Sequence, residues 1–548
     1  MIDTEETAWY DYPRFLIYRM GNFTPQPVHV KTVPLEISPE QNFTHRFAAL
    51  KEAVLLRKPV LRDILQKHGN KSLCDYALDY FDVNEGPGLI NRREEFLTTF
   101  KSEVSRLLGD TVAVSAVEQL RKYYFVSTAD HHGPICDPYF LSSNLVTTIT
   151  AFFQKDPVLK NVIALSCGSV SVDNDTFPRG LTFTSSNHNE LHVNRLPFFS
   201  SHERPSLICR LRAYGASEID KIKKTVHDLV KNNSISLEQS TTILGLIDEV
   251  YNTPENLAAS SYSDQITKTN YDLWQKIFAK TKQGQPNLIY LELENTVARL
   301  LIDHHLYQDT MINHLLFDRQ YQELIMKYFD GIIGAFSSTD NSGSYLFWGV
   351  PAGARYRVRL MPQGTKLVSD DGMYSIELTP DAIGRALKNK EIIPGMMLDF
   401  MVLSLYYGLK CLGGFSQVNY LTEMKQAYIK MHTELGNQQE VILCEPVQTK
   451  ELGEDLTIAY VTNSVGRVAM ATGLDLILYG IDSTWECLVR EAKDITLEQA
   501  VNPMFPSFYR VAYHESERQE DLLSISSKDI VAYTGLQQHI RPCVKIPD

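Results

Sequence analysis

The sequence predicts an α+β protein that is rich in helix, with a mixed α/β arrangement as the alternative and closely packed subdomains around at least one sheet. Three observations carry this prediction. At 548 residues the chain exceeds one simple core, because domains usually hold roughly 100–200 residues. Apolar residues recur at helical spacing over much of the chain, and short apolar runs between Gly and Pro clusters indicate strands. No long linker separates these segments, so we expect the subdomains to pack together.

The local pattern divides the chain into six regions. In order they are an extended N-terminal arm rich in Pro and aromatics (1–40), a helical layer (41–125), a loop and sheet region (126–212), a helical region (213–340), a mixed α/β region (341–515) and a peripheral, polar C-terminal tail (516–548).

Periodicity and turn residues place the individual elements. Helices are predicted over 43–67, 72–82, 92–108, 112–122, 140–155, 263–281, 317–336, 379–389, 395–411, 419–434, 472–481 and 496–502. Strands are predicted over 162–166, 181–184, 191–196, 206–211, 345–348, 355–360 and 456–462, and the segment 288–299 is ambiguous.

Charge and composition exclude several classes of protein. A formal charge of −13 and the absence of any long Lys/Arg run argue against nucleic-acid binding. The start of the chain lacks the basic and apolar pattern of a secretory signal, and the most apolar segment, 396–412, is shorter than the roughly 20 residues that span a bilayer. The eight cysteines are scattered, which is typical of reduced thiols. We therefore expect a cytoplasmic protein that binds no nucleic acid and no membrane.

The segment 127–138 holds the densest set of reactive side chains. Its Gly and Pro residues exclude a regular helix or central strand, so it should be an ordered loop. Imidazoles and carboxylates suit general acid–base catalysis near neutral pH. The candidate catalytic residues are Asp130, His131, His132 and Asp137. In the alternative interpretation, Asp130 caps the turn and the histidines bond backbone atoms.

A second candidate lies at His188-Asn189-Glu190-Leu191-His192. On a strand, a period of two places His188, Glu190 and His192 on one face. Together with His131 they predict a divalent metal site for zinc or iron. The alternative is a solvated strand face, since any half-exposed strand alternates polar and apolar residues.

Arginines supply candidate substrate-binding groups. Arg355, Arg357 and Arg359 alternate with apolar or aromatic residues, so on a strand their guanidinium groups share a face. Arg179, in a Pro-Arg-Gly turn, is a weaker candidate of the same kind. A row of like charges is unfavourable unless opposite charges lie close to it. Those charges belong either to acidic side chains of the protein or to an anionic substrate.

Other groups are ambiguous. Cys136 and Cys167 are potential nucleophiles, although a lone cysteine is more often a small buried hydrophobe. The triplet Asp303-His304-His305 repeats the earlier one, but on a helix its two imidazoles diverge, so we interpret these residues as surface or capping groups.

These observations lead to three functional hypotheses. The first is a hydrolase-like enzyme that acts on a small polar, anionic substrate by metal-assisted or His/Asp acid–base chemistry. The second is a metal-free transferase or lyase with a His base and an Arg anion clamp. The third is a non-catalytic scaffold for protein interactions, in which aromatic residues form the binding surface.

Overall fold

The computed structural model describes residues 39–83, 88–203, 205–280 and 286–547. At its centre lies a four-stranded parallel sheet made of β1 (Phe125–Ser127), β2 (Asn161–Ser166), β3 (Asn287–Glu292) and β4 (Lys410–Leu412), in the order β4-β1-β2-β3. β2 and β3 pair along their whole length, from Asn161 opposite Asn287 to Ser166 opposite Glu292.

Both faces of this sheet are buried. Val162 and Ala164 of β2 join one apolar core, and Ile163 and Leu165 join the other. Because a strand covered on both faces needs apolar side chains at every position, β2 and β3 read as continuous apolar runs without alternation. The predicted helix-rich α+β fold is confirmed, and its centre has the layered arrangement of an α/β protein.

Helices cover both faces of the sheet. They include α1 (Pro138–Gln154), α2 (Tyr262–Ile277), α3 (Leu293–Leu300), α4 (Gln417–Glu434) and α5 (Thr484–Asp494). The other described α-helices are Pro39–Arg57, Pro59–His68, Leu73–Ala77, Ile90–Leu108, Asp110–Lys122, Ala216–Lys231, Leu237–Leu246, Pro254–Leu257, Met311–Phe317, Arg319–Phe329, Pro380–Lys388, Met396–Phe400, Gln438–Cys444, Gly473–Tyr479, Leu497–Val501, Phe505–Ala512, Glu520–Leu523, Ser527–Thr534 and Leu536–His539. Short 3-10 helices are Leu78–Tyr80, Ser201–Glu203, Ile208–Arg210, Asn502–Met504 and Glu515–Glu517, and π-helical turns are Ile247–Tyr251, Leu301–His305 and Met401–Tyr406.

Smaller sheets surround the central one. They comprise the hairpin Gly180–Asn187 and Glu190–Pro197, a five-stranded antiparallel sheet (Phe347–Gly349, Val358–Gln363, Lys366–Ser369, Ser375–Glu377, Ile392–Pro394), a three-stranded sheet (Tyr460–Thr462, Val468–Met470, Val544–Lys545) and the pair Phe336–Ser337 and Ser342–Gly343.

The strand order marks one end of the sheet as the place where a ligand site is expected. The chain runs outwards from β1 through β2 to β3, and β4 then adds to the other side of β1. In open parallel sheets the loops after such diverging strands leave a crevice at the carboxyl ends, which is where ligands bind. The segment 127–138 follows β1 at this edge.

Several predicted elements differ from the observed ones. The helix expected over 43–67 is interrupted at Lys58, because the residue before Pro59 is disfavoured in helical conformation. The strand expected over 206–211 contains a 3-10 turn at Ile208–Arg210. The helix expected over 395–411 ends in a π-helical turn, after which Lys410–Leu412 forms β4.

The C-terminal tail is not peripheral as expected. Val544 pairs in parallel with Val461, and Ile530 and Ile546 are fully buried in the core that also holds α1. The polar residues of this tail lie on exposed helix faces, which concealed its apolar contacts in the sequence. The predicted N-terminal arm over 1–40 lies, apart from its last two positions, outside the described residues.

Candidate active site

The segments that follow β1, β2 and β3 meet at the carboxyl edge of the sheet. Beyond β1 and β2 the parallel pairing continues, since the Cys167 amide donates to the Asp130 carbonyl oxygen (2.8 Å) and the His132 amide donates to the Cys167 carbonyl oxygen (2.9 Å). His131 and Cys167 are therefore register partners, and partner side chains lie on the same face of a sheet. Glu294 follows β3 at the same edge.

Helix α2 fixes the loop that carries His131. The Asn270 side chain donates to the Gly133 carbonyl oxygen (2.9 Å) and accepts from the Ile135 amide (2.9 Å). Gly133 also lies against the neighbouring loop, because a Cβ added there would come within 2.8 Å of the Pro178 Cα atom. The loop is thus held on two sides without regular secondary structure, as the sequence predicted.

Asp130 is fully buried and supports this loop. Its carboxylate accepts hydrogen bonds from the Ser127 hydroxyl (2.9 Å) and from the Asn144 side chain on α1 (2.7 Å). Burial raises the pKa of Asp130 to about 6. Both oxygens are occupied inside the protein, which fits the capping interpretation better than direct catalysis.

Both ring nitrogens of His132 also have hydrogen-bond partners inside the protein. Its Nδ1 atom lies 2.6 Å from the Ser166 hydroxyl, and its Nε2 atom lies 3.0 Å from the Ser263 hydroxyl. The ring stacks on Tyr290 and is fully buried, and burial lowers the pKa of His132. His132 therefore joins β2 to α2.

His131 differs from its neighbour in the use of its two nitrogens. Nδ1 lies 3.0 Å from the Asn174 side-chain oxygen and 3.3 Å from the Thr176 hydroxyl. Across the described part of the chain, no group bonds to Nε2. Burial lowers the pKa of His131 to about 4, so its imidazole is neutral near pH 7 and can accept a proton at Nε2.

Asp137 forms the N-cap of α1. Its carboxylate accepts from the amides of Tyr139 (3.0 Å) and Phe140 (3.3 Å). Burial raises the pKa of Asp137 to about 7, and two further buried carboxyls, Glu454 and Asp455, interact with its charge. Asp137 therefore stabilises the first turn of α1 as its N-cap.

Cys167 and Glu294 form a pair on the face of the sheet opposite α2. The thiol donates to Glu294 Oε1 (3.2 Å), and the same carboxylate accepts from the amides of Gly168 (2.7 Å) and Ser169 (2.8 Å). Burial, and then the charge of Glu294, raises the pKa of Cys167 well above its usual range. Cys167 is a half-buried thiol beside a carboxylate that fixes the loop after β2.

Arg357 contacts Ser169, which also lies next to Cys167 and Glu294. One guanidinium nitrogen donates to both the carbonyl oxygen and the hydroxyl of Ser169 (3.0 Å each), and the guanidinium stacks on the Trp348 ring at 4.2 Å. Among the described residues, no carboxylate forms an ion pair with Arg357. The charge of Glu294 interacts with the Arg357 guanidinium, so an anion at this edge of the sheet would share that guanidinium with Glu294.

The other predicted arginines have partners different from those of Arg357, and the period-two argument does not cover all three positions. The strand begins only at Val358, so Arg355 and Arg357 precede it. Arg355 donates to the His202 carbonyl oxygen (2.6 Å), and Arg359 donates to the Asn341 side chain (2.8 Å). Arg179 stacks on the Phe177 ring at 5.1 Å, in the loop that also carries Asn174.

The predicted metal ligands are not brought together. His188 and Asn189 adopt positive φ values of 48° and 65° as the two-residue turn of a hairpin, so the period-two argument fails at His188. His188 and His192 are exposed, and Glu190 pairs with Arg467 at 2.9 Å. In the described ranges, no group of three or more His, Cys, Asp or Glu side chains is arranged to hold a metal ion.

The second Asp-His-His triplet is partly internal, contrary to the surface interpretation. His305 is fully buried, and its ring nitrogens lie 2.8 Å from the Tyr407 hydroxyl and 3.0 Å from the Thr310 hydroxyl. His304 lies 3.0 Å from the Thr99 hydroxyl. The π-helical turn at Leu301–His305 separates the two rings as expected, and neither reaches the sheet edge described above.

Sequence reasoning missed Asn174, Glu294 and a third polar residue, Asp399. Asp399 is 3% exposed, and its Oδ1 atom has no partner in the described chain. Burial, and then the charge of Glu294, raises the pKa of Asp399 well above its usual range. The sequence contained an indication for Glu294, because this residue lies three positions after an apolar run of strand type at 288–291. It contained none for Asn174 and Asp399, since only the tertiary fold brings these two residues to their partners.

Comparison with known proteins adds no relative: no family model and no curated protein matches this sequence. No helix within the described ranges has the length and apolar character needed to cross a membrane. Fold and site together thus define a layered protein with a cluster of polar side chains at the carboxyl edge of a parallel sheet.

Proposed function

We propose that the chain is an enzyme that acts on a small polar substrate with an anionic group, by hydrolase-like acid–base chemistry at the carboxyl edge of the sheet. One observation carries the proposal: Asn174 holds one ring nitrogen of His131, and within the described residues no group bonds to the other nitrogen. A neutral imidazole oriented in this way is the usual form of a general base. His131 accepts a proton from the attacking water, and Arg357 binds the substrate's anionic group.

Backbone pairing of His131 with Cys167, and a chain of side-chain contacts from Cys167 to Arg357, support a single site. Cys167 is the register partner of His131, its thiol lies 3.4 Å from the Ser169 hydroxyl, and that hydroxyl accepts from Arg357 at 3.0 Å. The base and the cation thus flank one stretch of the sheet edge. A metal-assisted form of the reaction would need ligands other than the predicted set, because His188 and His192 are exposed on a hairpin.

Two nitrophenyl esters test the proposal. Mono-p-nitrophenyl succinate carries a carboxylate and p-nitrophenyl acetate does not, and release of p-nitrophenolate reports hydrolysis of both. We expect faster hydrolysis of the succinate ester. H131Q should lower kcat by about 100-fold because the base is lost, and R357Q should raise KM for the succinate ester by roughly 10-fold. The matched control H192Q replaces an exposed histidine and should behave as wild type.

The pH profile supplies a further criterion. Since His131 must be neutral to act as a base and its pKa is lowered to about 4, kcat/KM should fall as the pH decreases through about 4. The proposal is wrong if the wild-type protein hydrolyses neither ester, or if H131Q retains wild-type activity.

A further inference from the structure

Two cysteines outside the candidate active site lie where α5 meets the C-terminal segment. The Cys487 thiol on α5 donates to the Arg541 carbonyl oxygen at 3.2 Å, and the Cys543 sulfur lies 4.0 Å from the same oxygen. Each thiol also perturbs the pKa of the other. Both sulfurs lie within 4.0 Å of one carbonyl oxygen, so the two side chains converge, and a disulfide requires their sulfurs to approach to about 2 Å.

The surroundings of Cys487 favour its thiolate. The Arg490 guanidinium, one turn along α5, donates to the Cys487 sulfur at 3.1 Å. The Cys543 thiol and the charges of Arg490 and Arg541 together lower the pKa of Cys487 to about 7, although burial opposes them. Glu491, which accepts from the Arg541 amide at 3.0 Å, is the acidic group of this cluster, and burial raises its pKa to about 7.

Other cysteines of the chain lack these features. Cys136 and Cys444 are buried, and burial raises the pKa of each to about 12, so both are unreactive thiols near pH 7. Cys487 retains 9% of its accessible surface, and Arg490 beside it is exposed. Oxidation of this thiol requires a small peroxide to approach the Cys487 sulfur from the side of Arg490.

We propose that Cys487 and Cys543 are a site of oxidation by small peroxides, whose product is a disulfide that ties α5 to the C-terminal strand. The Cys487 thiolate attacks one peroxide oxygen, the O–O bond breaks, and sulfenic acid and water (from hydroxide and the proton first released) result. The Cys543 sulfur then attacks the sulfenic sulfur, and its proton leaves with the hydroxyl as a second water. In total, two thiols and one hydrogen peroxide give one disulfide and two waters.

The disulfide would fix the end of the chain. The Cys543 amide donates to the Tyr460 carbonyl oxygen (2.9 Å), and Val544 pairs with Val461 in the adjoining strand. Cys543 thus directly precedes the strand Val544–Lys545 of the three-stranded sheet. Oxidation converts this non-covalent attachment of the C-terminal segment into a covalent one, and a thiol reductant reverses it.

Peptide mapping under non-reducing conditions, after treatment of the full chain with hydrogen peroxide, tests the proposal. We expect a cross-linked peptide pair containing Cys487 and Cys543, which dithiothreitol separates. C543A should instead leave a sulfenic acid at Cys487 that dimedone traps. R490Q, a change at an exposed position, should slow oxidation of Cys487 by roughly 3-fold or more, because less thiolate is present.

C444S is the matched control, since it removes a buried thiol that lies outside this pair, and it should leave the cross-link intact. The proposal is overturned if Cys487 stays reduced while Cys167 is oxidised, or if oxidised Cys487 is found without a link to Cys543. Circular dichroism of each variant verifies the fold, and because R490Q keeps both cysteines, its oxidation rate tests the mechanism even if C543A unfolds.

Discussion

At the scale of single residues, the chain buries polar groups near the sheet edge whose ionisation opposes folding. Asp455 is an example, because it is 3% exposed and its Oδ2 atom has no partner in the described chain. Burial, and then the charge of Asp137, raises the pKa of Asp455 to about 7. Between the unfolded pKa near 3.9 and this value the folded state binds more protons, so stability falls as the pH rises from about 4 to 7.

D455N is predicted to remove this pH-dependent cost. Asn cannot ionise, and it tolerates the positive φ of 65° at this position. The difference in free energy of unfolding between D455N and wild type should therefore favour D455N by about 1–3 kcal/mol more at pH 8 than at pH 5. Urea denaturation at both pH values measures the difference. The exposed control D482N should show no such pH dependence, and an equal effect of D455N at both pH values would contradict the prediction.

At the scale of elements, glycine contacts show how neighbouring segments are held against the 127–138 loop. Gly473 begins the helix Gly473–Tyr479, and a Cβ added there would lie 2.1 Å from the Ile135 carbonyl oxygen. The backbone of the loop and the first turn of this helix are thus in direct contact. No sequence pattern indicates this contact, because glycine at the start of a helix is ordinary on local grounds alone.

G473A is predicted to lower the free energy of unfolding by at least about 2 kcal/mol, since backbone must move to admit the methyl group. G245A is the matched control: Gly245 lies in the last turn of Leu237–Leu246, and an added Cβ meets no atom within 4 Å. That variant should be more stable by about 0.5–1 kcal/mol through higher helix propensity. Chemical denaturation of both variants checks the prediction, which fails if the two changes have the same sign.

The sequence predicted elements with a strong local pattern and failed where tertiary contacts decide. β2, α1 and the strands at 181–184 and 191–196 were located because apolar runs and helical spacing mark them, whereas the turn at His188–Asn189 that joins the two strands was not. β4 was read as the end of a helix, since Lys410-Cys411-Leu412 follows a buried helix and carries no separate signal. At the site, the location of His131 was predictable, whereas its difference from His132 depends on which polar groups the fold places around each ring.

At the scale of the whole molecule, the sheet interleaves segments that are distant in the chain. β4 from the last third pairs with β1, and Leu412, Leu452 and Ile458 belong to the core that also holds α1. Each face of the central sheet is therefore completed by residues from both halves of the chain. A cut at the predicted boundary between 213–340 and 341–515 removes an edge strand and part of each core.

A fragment of residues 1–340 is accordingly predicted not to fold by itself. It loses β4, which leaves β1 as an edge strand with its outer side unpaired, and it loses α4, which contributes apolar residues to both cores. We expect the fragment to bind an apolar dye such as ANS and to unfold in urea over a broad range, whereas the full chain should lose far-UV circular dichroism and tryptophan fluorescence together. The fragment 341–548 serves as the companion sample under identical conditions. A sharp urea transition of fragment 1–340 without dye binding would show that the two parts are independent domains.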